Sequence, residues 1–114
     1  MNAKILGLAI LLLPLLIAGC AQQSPPPANG GNGNAAVEIS NFAFSPASLT
    51  VAKGTTVTWT NKDSVQHSAT SDNGKFDTGL IPQNQSASVT FNNSGTFNYH
   101  CTPHPQMKAK IIVQ

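Results

Sequence analysis

From Val37 to Gln114 the apolar side chains recur at alternate positions in short runs, and no segment of useful length carries them at helical spacing. Alternation of this kind puts the apolar side chains of an extended chain on one face and the polar ones on the other. Val37 and Ile39 share a face and are followed by Phe42 and Phe44; Leu49 and Val51 flank Thr50; Val57 and Trp59 alternate with Thr56, Thr58 and Thr60. Downstream, Ala87, Val89 and Phe91 share a face. Phe97, Tyr99 and Cys101 follow with Asn98 and His100 opposite them, then Ala109, Ile111 and Val113. Turn residues separate the runs at Lys53-Gly54, Asn61-Lys62-Asp63, Asp72-Asn73-Gly74, Ile81-Pro82 and Asn93-Ser94-Gly95. Six or seven short strands at this spacing predict an all-β fold, an antiparallel β-sandwich. The stretch from Ala69 to Gln85 alternates least and is expected to cross between the sheets. A core drawn from residues 37–114 is small, so a bound metal would add usefully to its stability.

Residues 1–19 follow a different rule. Lys4 precedes an apolar run of 13 residues, Ile5 to Ile17, the length of a signal-peptide core and short for a membrane span. The run leads into Ile17-Ala18-Gly19-Cys20, which resembles the bacterial lipoprotein signal, whose cysteine becomes the lipidated mature N-terminus. An ordinary secretory signal with an incidental cysteine is the alternative, and either one exports the protein. Acyl chains on Cys20 would anchor it to a membrane from the extracytoplasmic, periplasmic side. Residues 20–36 are read as that cysteine and a flexible linker: AQQSPPPANGGNGNAA holds no charge and no large apolar side chain to offset the entropy of ordering. A linker of this length reaches roughly 20–25 Å, at about 5–6 Å times the square root of its length. The folded domain is expected over residues 37–114.

Charge removes several functions. Only 9% of the 114 residues are charged and the formal net charge is +2, so no basic stripe awaits nucleic acid. The chemistry lies instead in Tyr99-His100-Cys101-Thr102-Pro103-His104-Pro105-Gln106-Met107, a C-x2-H-x2-M spacing, with His67 placed 34 residues before Cys101. One thiolate, two imidazoles and a thioether are the donor set of a mononuclear copper electron-transfer centre, in which the thioether is a weak axial ligand. Soft sulfur favours Cu(I) while imidazoles retain Cu(II). His67, Cys101, His104 and Met107 are therefore the candidate ligands. Pro103 and Pro105 stiffen the loop around His104, and strand alternation turns His100 away from Cys101.

Each residue also has a plainer use. Met107 could fill the core, His67 could sit in a surface turn, and Cys101 could be a buried inert thiol or pair with Cys20. Their joint occurrence with a single thiol in an exported domain favours the metal. Zinc could take a Cys-His-His set with an open position, but thioether sulfur is a poor zinc ligand.

On these residues, and on Phe44-Ser45-Pro46 and Val57-Thr58-Trp59-Thr60-Asn61, the chain resembles the cupredoxins, the blue copper proteins, and within them the amicyanin and plastocyanin-like proteins. The short Cys-Thr-Pro-His-Pro-x-Met loop is of the amicyanin type. The resemblance implies a Greek-key β-sandwich of about seven to eight strands with one type 1 copper, held by His67, Cys101 and His104 and axially by Met107. It implies that Ser68 and Thr102 tie the ligand loops together, with Ser68 standing where asparagine is more usual. Pro103, His104 and Pro105 would line an apolar patch for docking. The expected role is a membrane-tethered monomer, not an enzyme, that carries single electrons between larger redox proteins. The alternative is a copper-binding protein for metal storage or delivery. A copper enzyme of related fold would need more ligands than three histidines, one of them facing away.

Overall fold

The chain changes sheet five times, and that habit fixes the architecture. The computed structural model describes residues 33–114; the signal peptide of residues 1–19, the lipidation of Cys20 and the linker up to residue 32 lie outside the described residues. Eight strands form: β1 (Asn34–Ser40), β2 (Ala43–Ser45), β3 (Ser48–Val51), β4 (Thr55–Asn61), β5 (Thr70–Ser71), β6 (Ser86–Phe91), β7 (Gly95–His100) and β8 (Lys108–Val113). One sheet has the order β2-β1-β4-β6 and the other β3-β8-β7-β5.

The alternating side chains meet between the sheets as expected. Val37, Ile39, Val57, Trp59 and Phe91 from one sheet and Val51, Tyr99, Ile111 and Val113 from the other are all buried. At the centre Trp59 Nε1 donates to Tyr99 Oη at 3.1 Å, which satisfies a buried donor that would otherwise be left without a partner. Burial pushes the Tyr99 phenol up to about 12, against the smaller downward pull of the Trp59 bond.

Strand direction departs from the antiparallel expectation in two pairings. β1 runs parallel to β4, and β3 parallel to β8. Because the chain leaves the first sheet after β2 and re-enters it at β4, β4 arrives beside β1 pointing the same way. Alternation has the same period in either direction, so it carries no signal of this. β1 also begins before the expected domain boundary at residue 37. Asn34, Ala35 and Ala36 pair in register with Thr56, Val57 and Thr58, and this backbone pairing orders a segment that has no bulky side chain of its own.

Two further features bear on the site. The segment between β4 and β6 folds back on itself through bridges His67–Ile81 and Thr70–Asp77. It packs the half-buried Phe76 against the core, with ring centroids 5.7 Å from Trp59 and 5.2 Å from Phe91. Phe42, grouped with Phe44 by sequence, instead occupies the turn between β1 and β2 and is 53% exposed. On the outer face of the first sheet, Thr56–Thr90, Thr58–Ser88 and Thr60–Ser86 hydroxyls pair across strands at 2.7–2.8 Å.

Candidate metal centre

Cys101 follows directly on β7, so a strand held on both sides fixes where its sulfur points; β7 pairs with β5 and β8. The loop to β8 then closes on its own backbone. His104 N donates to Cys101 O at 3.1 Å, Met107 N to His104 O at 2.9 Å, and Cys101 N to Met107 O at 3.1 Å. Three of the four candidate ligands thus share one short loop with these amides satisfied internally, which holds it rigid without help from a metal. Cys101 carries a free, fully buried thiol. Met107 is buried in the same loop.

His67 comes from the turn after β4. Its backbone pairs with Ile81, donating at 3.3 Å and accepting at 2.7 Å, and its ring has no exposed surface. The loops after β4 and β7 meet here, and the donor atoms of His67, Cys101 and His104 all lie within 4.8 Å of one another. His67 Nδ1 is 3.2 Å from His104 Nδ1, and Cys101 Sγ is 3.4 Å and 3.5 Å from the two nitrogens. The point equidistant from the three corners of that triangle, the product of its edges over four times its area, lies about 1.9 Å from each. Metal–nitrogen bonds to imidazole run about 2.0–2.1 Å and bonds to thiolate about 2.3 Å. The triangle therefore fits a trigonal first-row metal with only a slight expansion on the sulfur side.

The structure brings Ser68 and Thr102 together. Thr102 N donates to Ser68 Oγ at 2.9 Å, Ser68 N donates to Cys101 Sγ at 3.4 Å, and the Ser68, Thr70 and Thr102 hydroxyls lie within 2.9–3.2 Å of one another. The serine side chain reaches the Thr102 amide from this position. His100 points to the other face, where its Nδ1 meets Asp72 Oδ1 at 2.6 Å.

His104 is half-buried and lies at the edge of an open groove of about 540 Å³, lined also by Val65, Leu80, Thr102 and Pro103. Leu80 is 55% and Val65 40% exposed. Phe42 adds a third exposed apolar group, its ring edge-on to His67 and His104 with centroids 5.2 Å and 5.1 Å away. Pro103 lines this groove beside His104, and Pro105 is exposed in the same loop but does not line the groove.

Sequence reasoning misses Phe42, Val65, Leu80 and Asp63 as members of the site. Val65, between Ser64 and Gln66, is a large apolar residue stranded in a polar turn, a usable signal, whereas Phe42 reads as a companion of Phe44 and Leu80 as a neighbour of Ile81. Asp63 reads as a turn former, yet its Oδ2 accepts from His67 Nε2 at 2.9 Å and from the Phe42 amide at 2.9 Å, while Oδ1 accepts from the Asn41 amide at 2.8 Å. These donors, Phe42 N–H foremost, hold the carboxyl below its ordinary value despite its partial desolvation.

A sandwich that brings two imidazoles and one thiol into such a triangle, where the loops after β4 and β7 meet, has the build of a cupredoxin metal-binding protein. Comparison with known proteins gives the family. Copper binding proteins of the plastocyanin/azurin family match residues 32–114, and the chain belongs to that family. It is 34% identical over 87 residues to amicyanin-alpha of Methylorubrum extorquens, covering 72% of this chain and 73% of that one. It is 33% identical over 93 residues to amicyanin of Paracoccus denitrificans, covering 73% and 67%. Among solved structures, a Cu(I) form of an amicyanin variant superposes with a TM-score of 0.65 at 32% identity, over 75% of this chain and 86% of that one.

Proposed function

We propose that this protein carries single electrons between larger redox proteins outside the cytoplasm, using one copper that His67, Cys101, His104 and Met107 would hold. The observation that carries the reading is the Nδ1–Nδ1–Sγ triangle with edges of 3.2, 3.4 and 3.5 Å. Copper bound there would supply a reversible one-electron couple between Cu(I) and Cu(II).

The chain's own residues supply the rest. The self-bonded 101–107 loop and the Ser68–Thr102 tie keep the donors in place in both oxidation states. Burial of His67 and Cys101 excludes water. His104 alone of the three reaches the groove, so its ring is the short route between the centre and a docked partner. Phe42, Val65, Leu80 and Pro103 around it favour docking by apolar contact, and few charges stand by to steer a partner. Lipidated Cys20 and the linker that follows it would tether the domain to a membrane, and the carrier works as a monomer with no turnover of its own.

The test is the visible and EPR spectrum of the full-length chain loaded with Cu(II). An intense thiolate-to-copper band, bleached by ascorbate, restored by oxidant and absent in Cys101→Ala, supports the carrier. A colourless protein with an ordinary tetragonal EPR signal removes it.

A further inference from the structure

We propose that Asp63 is a positioning residue for the metal centre: its one carboxylate sets the tautomer and donor strength of His67 and pins the Phe42 ring over both imidazoles. The proposal rests on the reading of His67 and His104 as copper ligands, and part of its test does not.

Asp63 places the proton on the His67 ring. A carboxylate offers only acceptors. With Asp63 Oδ2 at 2.9 Å, the proton of a neutral His67 ring belongs on Nε2. Nδ1 is then left with a lone pair directed toward Cys101 Sγ and His104 Nδ1. A carboxylate behind an imidazole also makes it a stronger donor, which favours the more highly charged metal state.

The same carboxylate also holds the β1–β2 turn. Ser40 and Ala43 pair as the last residues of the β1–β2 hairpin, leaving only Asn41 and Phe42 between them. Both are left-handed, with φ of 55° and 57°. A two-residue hairpin loop of this kind suits Asn-Gly, and a bulky residue at the second position is an outlier. Here both turn amides are caught by the same carboxylate, through Oδ1 from Asn41 and Oδ2 from Phe42. The result is that the Phe42 ring stands edge-on, at interplanar angles of 85° and 89°, against His67 and His104. Asn61 braces the arrangement from behind: its Oδ1 accepts from Asp63 N, and its Nδ2 donates to the carbonyls of Val65 and of Ile81, the backbone partner of His67. A residue that only capped the hairpin would not need to touch His67 at all.

The experiment compares the full-length wild type with Asp63→Asn, Asp63→Glu and Phe42→Ala. In copper-loaded protein the readout is the midpoint potential. In metal-free protein it is the His67 ring tautomer and the Asn41 and Phe42 amide shifts by nitrogen-15 NMR. Loss of an outer partner of a metal ligand weakens affinity about tenfold or more. Confined to Cu(II), a tenfold loss in Asp63→Asn raises the potential by ~59 mV for one electron. The expected pattern is that rise, a mixed His67 tautomer and displaced turn amides in Asp63→Asn. Asp63→Glu should recover the Nε2–H tautomer, and Phe42→Ala should keep it with less than half the potential shift. An unmoved potential in Asp63→Asn overturns the proposal. So does an Nδ1–H tautomer in metal-free wild type, a measurement that needs no variant to fold. If loaded wild type shows no thiolate band, the copper reading fails, while the metal-free tautomer and amide shifts still decide whether Asp63 holds ring and turn together.

Discussion

Raising the pH past 10 should weaken this sandwich through one side chain. Tyr99 is 1% exposed, and its side-chain partner among the described residues is the Trp59 indole N–H. Burial lifts its phenol to about 12, whereas an unfolded chain releases the same proton near 10.0. The folded state therefore prefers the neutral phenol. That contribution is fully present below pH 10 and is lost as the pH climbs toward 12. At 1.36 kcal/mol per unit, two units amount to about 2.7 kcal/mol. Against a typical total of about 5–15 kcal/mol, this is roughly a fifth to a half of the stability. The chain has one tyrosine and one tryptophan, so both optical signals are unambiguous. Urea unfolding followed by Trp59 fluorescence at pH 8, 9.5 and 11 measures the fall in stability, and phenolate absorbance measures the titration. Tyr99→Phe keeps the ring packing and should flatten the pH slope while lowering stability at neutral pH, because Trp59 Nε1 loses its acceptor. Phenolate forming with a midpoint near 10 in protein that is still folded by circular dichroism would refute the reasoning, as would an unchanged slope in Tyr99→Phe.

Two other perturbations have expected sizes. Phe76→Ala empties a half-buried site against Trp59 and Phe91 and should cost about 2–3 kcal/mol, somewhat less than a fully buried phenylalanine, seen as a lower urea midpoint at constant slope. Ser68→Ala removes the acceptor of the Thr102 amide and should cost about 1–3 kcal/mol, with faster loss of copper to a chelator; a loss rate equal to wild type would show that the tie does not hold the loop.

The faces of the strands were legible because alternation is a local property. Val57 and Trp59, the Ala87-Val89-Phe91 face and Tyr99 all lie where their neighbours in sequence put them. Strand direction was not legible, since a parallel β1–β4 pair and an antiparallel one have the same period. Phe76 gave no signal because it packs against the core from a fold-back held by two isolated bridges. The cluster of His67, Cys101 and His104 could be named from chemistry, as few other uses would bring a lone thiol, two imidazoles and a thioether into one small domain. Asp63 could not be. Its importance depends on the hairpin tip at Asn41 and Phe42, 21–22 residues earlier, which only the parallel arrival of β4 beside β1 brings within reach.

The place of β8 in the second sheet governs when the thiol is covered. β8 lies between β3 and β7, yet it is the most C-terminal of the eight strands. The first sheet draws only on residues up to Phe91 and can form while the rest of the chain is still emerging. The second has no centre until residues 108–113 dock, and pairing β3 with them spans most of the domain, the kind of distant contact that forms late and slowly. Cys101 N bonds to Met107 O at the foot of β8, so the loop closes as β7 and β8 pair. Pairing of β7 with β8 is therefore what covers the sulfur, and the thiol is sheltered from oxidant only once that hairpin has closed.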